Sequence, residues 1–187
     1  MEMAMGAAFL IIAVWWLVMS LPLLKGYEQK FYVKKQKHAV KESFCRLGQT
    51  FVNIRKEKHI FMFLLAFFFY IDGVYTIIDM ATAYGSALGL DSTGLLLALL
   101  VTQLVAFPCA ILFGKLSGKM ETSRLITVCI FAYLGIAIFA VFLKSQIQFW
   151  ILAVLVGMFQ GGIQALSRSY FTKIIPAEKS GEYFGLM

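Results

Sequence analysis

Five stretches of this chain, residues 3–24, 60–83, 93–113, 124–143 and 148–168, are apolar almost throughout. Each is close to the ~20 residues that an α-helix rising ~1.5 Å per residue needs to cross a ~30 Å hydrocarbon core. Charge is scarce in the chain as a whole: Asp, Glu, Lys and Arg make up 14% of the residues, where a soluble domain carries about 25%. Such a chain cannot dress its surface for water. The expected fold class is therefore an all-α membrane protein with five transmembrane helices, and a sixth begins near Ser180.

The first run is a spanning helix and not a signal peptide. A signal peptide opens on a basic segment and has an apolar core of about 7–15 residues. Here Glu2 precedes the run, the run is longer, and the lysines follow it.

Basic residues collect on the cytoplasmic side of a membrane. With the first helix entering from outside, the cytoplasmic segments are 25–59, 114–124 and 168–179. These hold every lysine and arginine of the chain except Lys144. The formal net charge of +7 is thus a topology signal, and nucleic acid is not an expected partner. The long 25–59 loop starts as a polar stretch, "KGYEQKFYVKKQKHAVKE". It continues with Phe44, Leu47, Phe51 and Ile54 at helical spacing among Arg46, Arg55, Lys56 and Lys58. That pattern suits an amphipathic helix on the inner leaflet, serving as a tether between two bundles or simply as the helical end of a solvated linker. His38 and His59 sit in this basic surround as ordinary surface residues.

The second run carries two carboxylates. Asp72 is near mid-span, where an ionised Asp costs about 2.5–3.5 kcal/mol on insertion scales. Asp79, seven residues on, falls on nearly the same helical face, with Tyr75 and Thr76 between them. Asp72, Tyr75, Thr76 and Asp79 form a polar stripe suited to a substrate or proton pathway. Depth favours that role for Asp72; Asp79, nearer the outer end, has interfacial water as its simpler explanation. Gly73 softens the helix beside Asp72.

In the fifth run Gln160, Gln164 and Ser167 share a face, and Gly157 and Gly161 form a small-xxx-small pair for close helix approach. Gln160 either binds solute or hydrogen-bonds a neighbouring helix. Arg168 ends the run and reads as a cytoplasmic anchor before it reads as a gate. Pro108 should loosen the third run, and Thr102 and Gln103 read as interhelical hydrogen-bonders. Cys45, Cys109 and Cys129 have no CxxC spacing or clustered His, so neither a disulfide framework nor a metal site is expected. No P-loop, HExxH, GxSxG or Gly-rich dinucleotide turn occurs, so no cofactor is expected and the chain is not read as an enzyme.

The loop "GKLSGKMETSR" resembles the short cytoplasmic loop of the major facilitator superfamily. Gly114, Leu116, Lys119 and Arg124 fit that loop's pattern, while Gly118 stands at its acidic position and Glu121 at its second glycine. "FFFYIDGVYTIIDMA", "GGIQALSRSYFTKIIPAEKSGEYFG" and "WWLVMSLPLLK" are similar to the bacterial relatives of the autophagy-related vacuolar amino-acid effluxers. The resemblance implies a partial major-facilitator helix bundle. Residues 1–24 would be the last helix of the N-terminal half, 25–59 the cytoplasmic linker, and 60–187 the first four helices and part of a fifth in the C-terminal half.

It further implies a permease that is a multi-pass protein of a cell membrane, the bacterial inner membrane, and moves a small solute on an ion gradient. Amino acids are the implied solute class, a proton the implied coupled ion, and the remaining transporter helices the implied partners beside the lipid bilayer. By position, Asp72, Tyr75, Thr76, Asp79, Gln160 and Gln164 become pathway candidates, and Lys119, Arg124 and Arg168 gating candidates. The rival reading is a non-transporting scaffold or a truncated relic, in which these polar groups only glue helices together.

Overall fold

A computed structural model describes residues 2–28 and 39–187, with side chains for 6–28 and 45–187. Lys30, Lys34, Lys35, Lys37 and His38 lie outside the described residues, as do the side chains of Lys41 and Phe44. The chain divides into two units, Met1–Ala39 and Val40–Met187. Every described segment is helix or turn, and five helices are long and apolar enough to span a membrane.

In the first unit, α1 (Glu2–Gly26) contains Pro22 one turn from its end. Pro lacks an N–H, which is tolerated in a span where nearby groups re-satisfy the backbone. Ser20 Oγ donates to the Trp16 carbonyl at 2.7 Å.

The second unit holds α2 (Ala39–Lys56), α3 (Lys58–Ala87), α4 (Ser92–Ser117), α5 (Thr122–Val141), α6 (Gln146–Ile174), a 3₁₀ turn at Ala177–Lys179 and α7 (Ser180–Phe184). The turns that join them carry conventional signals. Gly89 sits at φ +74°, a conformation that favours glycine, and it lets Leu90 N–H return to the Gly85 carbonyl at 3.1 Å. Asp91 caps α4 by accepting from Gly94 N–H at 2.8 Å. Ser145 and Gln148 form a reciprocal capping box at the start of α6.

The α4–α6 pair is the most extensively packed of the bundle. The reason is steric. A Cβ on Gly157 would lie 2.6 Å from the Thr102 carbonyl oxygen, and one on Gly161 would lie 3.0 Å from the Ala106 carbonyl oxygen. Backbone cannot move aside as a side chain can, so glycine is required for this approach. Once the helices are this close, the Thr102 hydroxyl, already 3.0 Å from the Ala98 carbonyl of its own helix, also reaches the Ala153 carbonyl across the interface at 3.2 Å. α5 packs on α6 through Leu125, Cys129, Tyr133 and Ile136, all buried with Leu152 and Ile163 in one core.

The end of α6 differs most from the sequence reading. α6 does not end at Arg168; it continues to Ile174, with Phe171 fully buried and Arg168 exposed. At ~1.5 Å per residue its length exceeds a ~30 Å hydrocarbon core by about two and a half turns, so its last turns can reach beyond the lipid and still pack. They pack against α2. Ile54, Ile60, Phe171, Ile175 and Tyr183 form a second buried cluster, and Thr50 Oγ1 donates to Glu182 Oε2 at 2.8 Å. Of the expected amphipathic stripe in α2, Ile54 is buried here, whereas Phe51 is 56% exposed.

Gly157→Ala is expected to destabilise the folded chain by about 1–3 kcal/mol through overpacking. Gly73→Ala, with nothing within 4 Å of its added methyl, should be neutral or stabilising by up to about 1 kcal/mol. Reversible unfolding in mixed micelles measures both.

Candidate functional site

α3 positions the polar stripe. Val74 is buried to 2% on the side of α3 that meets the bundle. At about 100° per residue, Asp72, Thr76 and Asp79 fall on the opposite side, and all three are exposed, as is Tyr75. Asp72 and Gly73 stand at the middle of α3. The Thr76 hydroxyl is spent locally, donating to the Asp72 carbonyl at 2.8 Å. No hydrogen bond or ion pair among the described residues reaches either carboxylate side chain. The two acids therefore play no part in holding this bundle together.

The inner side of α3 carries a different polar set. Tyr70 OH lies 2.6 Å from Ser167 Oγ on α6. Ser167 is fully buried and donates to its own Ile163 carbonyl at 2.5 Å. With its one proton committed there, Ser167 accepts from Tyr70, so the phenol is the donor. Tyr133 is buried beside this pair with its hydroxyl unpartnered. Sequence spacing singled out Ser167 and missed Tyr70, which sits within an aromatic run and reads as packing; its position four residues before Val74, on the same face, is the only signal that could have found it.

On α6, Gln160 and Gln164 are half-buried. The Gln160 Oε1 atom is shielded from solvent and has no hydrogen-bond partner. Helical periodicity puts Gln160 between Ser167, which faces α3, and Gly157, which faces α4. No hydrogen bond joins these amides to the carboxylates of α3.

A cavity of about 570 Å³ opens between α3, α5 and α6, lined by Lys58, His59, Phe63, Tyr70, Thr127 and Tyr170 among others. A second space of about 230 Å³ between Gly73, Ile77, Ile130, Tyr133, Leu134 and Ile163 also borders Tyr70. Both lie on the inner flank of α3, away from Asp72.

At the basic end, Arg124 pairs with Glu121 at 2.9 Å, with the two side chains 74% and 70% exposed. An exposed pair of this kind is worth at most about 1 kcal/mol. Lys119 and Arg168 are exposed. The cation that ties two helices together is Lys173, whose Nζ donates to the buried Thr122 Oγ1 at 3.0 Å, joining α6 to the start of α5. The sequence reading counted Lys173 only for topology.

The family model described as "Vacuole effluxer Atg22 like" matches residues 1–187. The chain belongs to this Atg22-like family. An uncharacterized MFS-type transporter, YxiO of Bacillus subtilis, is 49% identical over 178 residues, covering 95% of this chain and 42% of that protein. Autophagy-related protein 22 of Eremothecium gossypii is 25% identical over 199 residues, covering 96% and 39%, and that of Saccharomyces cerevisiae is 24% identical over 215 residues, covering 96% and 41%. This Atg22-like chain thus spans about two-fifths of the length of these relatives. No solved structure matches it. The family is one of membrane transporters of the MFS kind, and none of these relatives is named as an enzyme.

The Tyr70–Ser167 bond gives the Atg22-like bundle its polar link between α3 and α6. Tyr70→Phe keeps the edge-on contact with Phe67, whose centroid is 5.5 Å away, and removes only the hydroxyl. A double-mutant cycle with Ser167→Ala should return a coupling of about 0.6 kcal/mol, and no more than about 1.7, the range for interhelical hydrogen bonds in membranes. A coupling of zero would mean that the two hydroxyls do not meet.

Proposed function

We propose that this chain is part of a secondary transporter of major-facilitator type that moves a small solute across a cell membrane, driven by an ion gradient. The observation that carries the reading is the placement of Asp72. It is a mid-span carboxylate on the face of α3 that its own bundle leaves uncovered. Facing lipid, it would cost about 2.5–3.5 kcal/mol with nothing in return. Facing a wet pathway completed by further helices, it is hydrated and available to a solute or proton.

In this reading residues 1–24 end the N-terminal half, 25–59 form the cytoplasmic linker, and 60–187 begin the C-terminal half. Secondary transporters place solute and coupling-ion sites near the bilayer midplane and alternate between two openings. Asp72 is the coupling or solute-binding carboxylate, with a proton as the coupled ion. Tyr75 and Thr76 line its path, Asp79 lies at the outer mouth, and Gln160 and Gln164 contribute amides from α6. Lys119, Arg124 and Arg168 belong to the cytoplasmic gate. Amino acids are the solute class that the resemblance implies; the family description names an effluxer and no solute. A bacterial cell membrane is the proposed location, in keeping with an MFS-type relative from Bacillus subtilis.

In the complete transporter, Asp72→Asn should reduce gradient-driven uptake at least tenfold while membrane insertion is unchanged. Asp79→Asn should cost less than twofold. Radiolabelled amino-acid uptake into proteoliposomes under an imposed proton gradient reads both, and uptake by Asp72→Asn at the unmutated rate would remove Asp72 from the mechanism.

A further inference from the structure

α2 is a two-sided helix, and only one of its sides is accounted for. Its inner edge is fastened: Ile54 is buried against Phe171, Ile175 and Tyr183, and Thr50 is bonded to Glu182. That clasp fixes the rotation of the helix about its axis. The side turned away from this clasp then carries Val52 and Lys56, with Phe51 and Arg55 on the flank between; Phe51 and Val52 are 56% and 54% exposed, and Arg55 and Lys56 are exposed beside them. Cys45 is exposed about two turns earlier, on the same side as Val52.

The depth of this face is set by the chain itself. Only Glu57 separates α2 from α3, the helix Lys58–Ala87, which is long and apolar enough to span the membrane. The C-terminal turns of α2, which hold Phe51–Lys56, are therefore kept close to the bilayer surface, on the side where the basic loops gather. Lys58, also exposed, extends the cationic edge towards the membrane, with Glu57 the single opposing charge among them. Two bare apolar side chains flanked by cations at interface depth match an anionic leaflet: the apolar pair enters the acyl boundary and the cations meet headgroups.

We propose that the Phe51–Val52–Arg55–Lys56 face of α2 is a docking surface for anionic phospholipid headgroups. Of the expected stripe, Ile54 is taken up by α6 and α7, while Phe51 remains exposed for lipid and Val52 is added to it. Because the clasped edge bears on the end of α6 and on α7, the lipid contact is mechanically joined to the helix that carries Gln160.

The test uses the native Cys45 as a reporter. The 187-residue chain is labelled there with a fluorophore, with Cys45→Ser as the background, and reconstituted into vesicles of pure phosphatidylcholine or of phosphatidylcholine with phosphatidylglycerol. Quenching by lipids carrying a spin label near the headgroup should be at least twofold stronger in the anionic vesicles. Arg55→Gln with Lys56→Gln should abolish that difference, since each cation near an anionic surface shifts the docking equilibrium by a factor of about five. Phe51→Ser with Val52→Ser should weaken quenching in both vesicles. Equal quenching in the two vesicle types, or a difference that survives loss of Arg55 and Lys56, would overturn the proposal. These positions are exposed, so a variant's helix content serves as a check that the fold is kept.

Discussion

The close approach of α4 and α6 is the contact on which the rest of the bundle depends. Apolar side chains gain little by leaving lipid for a helix interface, so packing distance and interhelical hydrogen bonds decide association. Gly157 and Gly161 remove the side chains that would hold the two backbones apart. Thr102 can then bridge to Ala153, α5 settles against the α6 face bearing Ile163, and Ser167 one turn further on is carried to Tyr70 of α3. α3 is thus held through its inner side, and its outer side, with Asp72, is left free.

That division explains why one helix carries two kinds of polar residue. Tyr70 is bonded, half-buried and structural. Asp72, two residues later, is exposed and unbonded. A half-turn of helix separates a group that holds the bundle from one that the bundle does not use. In the proposed reading, this carboxylate, which contributes nothing to packing, meets a hydrated solute path on its other side, where an ionised acid is tolerated at that depth.

The spans were legible because their signal is length and apolarity, which the bilayer imposes directly. The small-xxx-small pair at Gly157 and Gly161 was legible because its consequence is local and steric. The end of α6 was not. Arg168 and Lys173 suggest a loop when counted as charges, yet Phe171 and Ile175 pack against Ile54 and Ile60 from distant parts of the chain, and no local pattern encodes that. Thr50–Glu182 and Lys173–Thr122 were illegible for the same reason: each joins residues far apart in sequence that only the fold brings together. The carboxylates of α3 were visible as a stripe, but the side they take relative to the core follows from Val74, whose burial cannot be distinguished in sequence from that of its apolar neighbours.

The most direct measurement is of what the outer face of α3 touches. Single cysteines at positions 72, 76 and 79 of the complete transporter, with position 74 as the buried control, are exposed to a water-soluble, membrane-impermeant thiol reagent. The account predicts modification at 72, 76 and 79, slowed at 76 by an excess of transported solute, and none at 74. If positions 72 and 76 react only with a lipid-soluble reagent, that face lies against hydrocarbon and the pathway assigned to it does not exist.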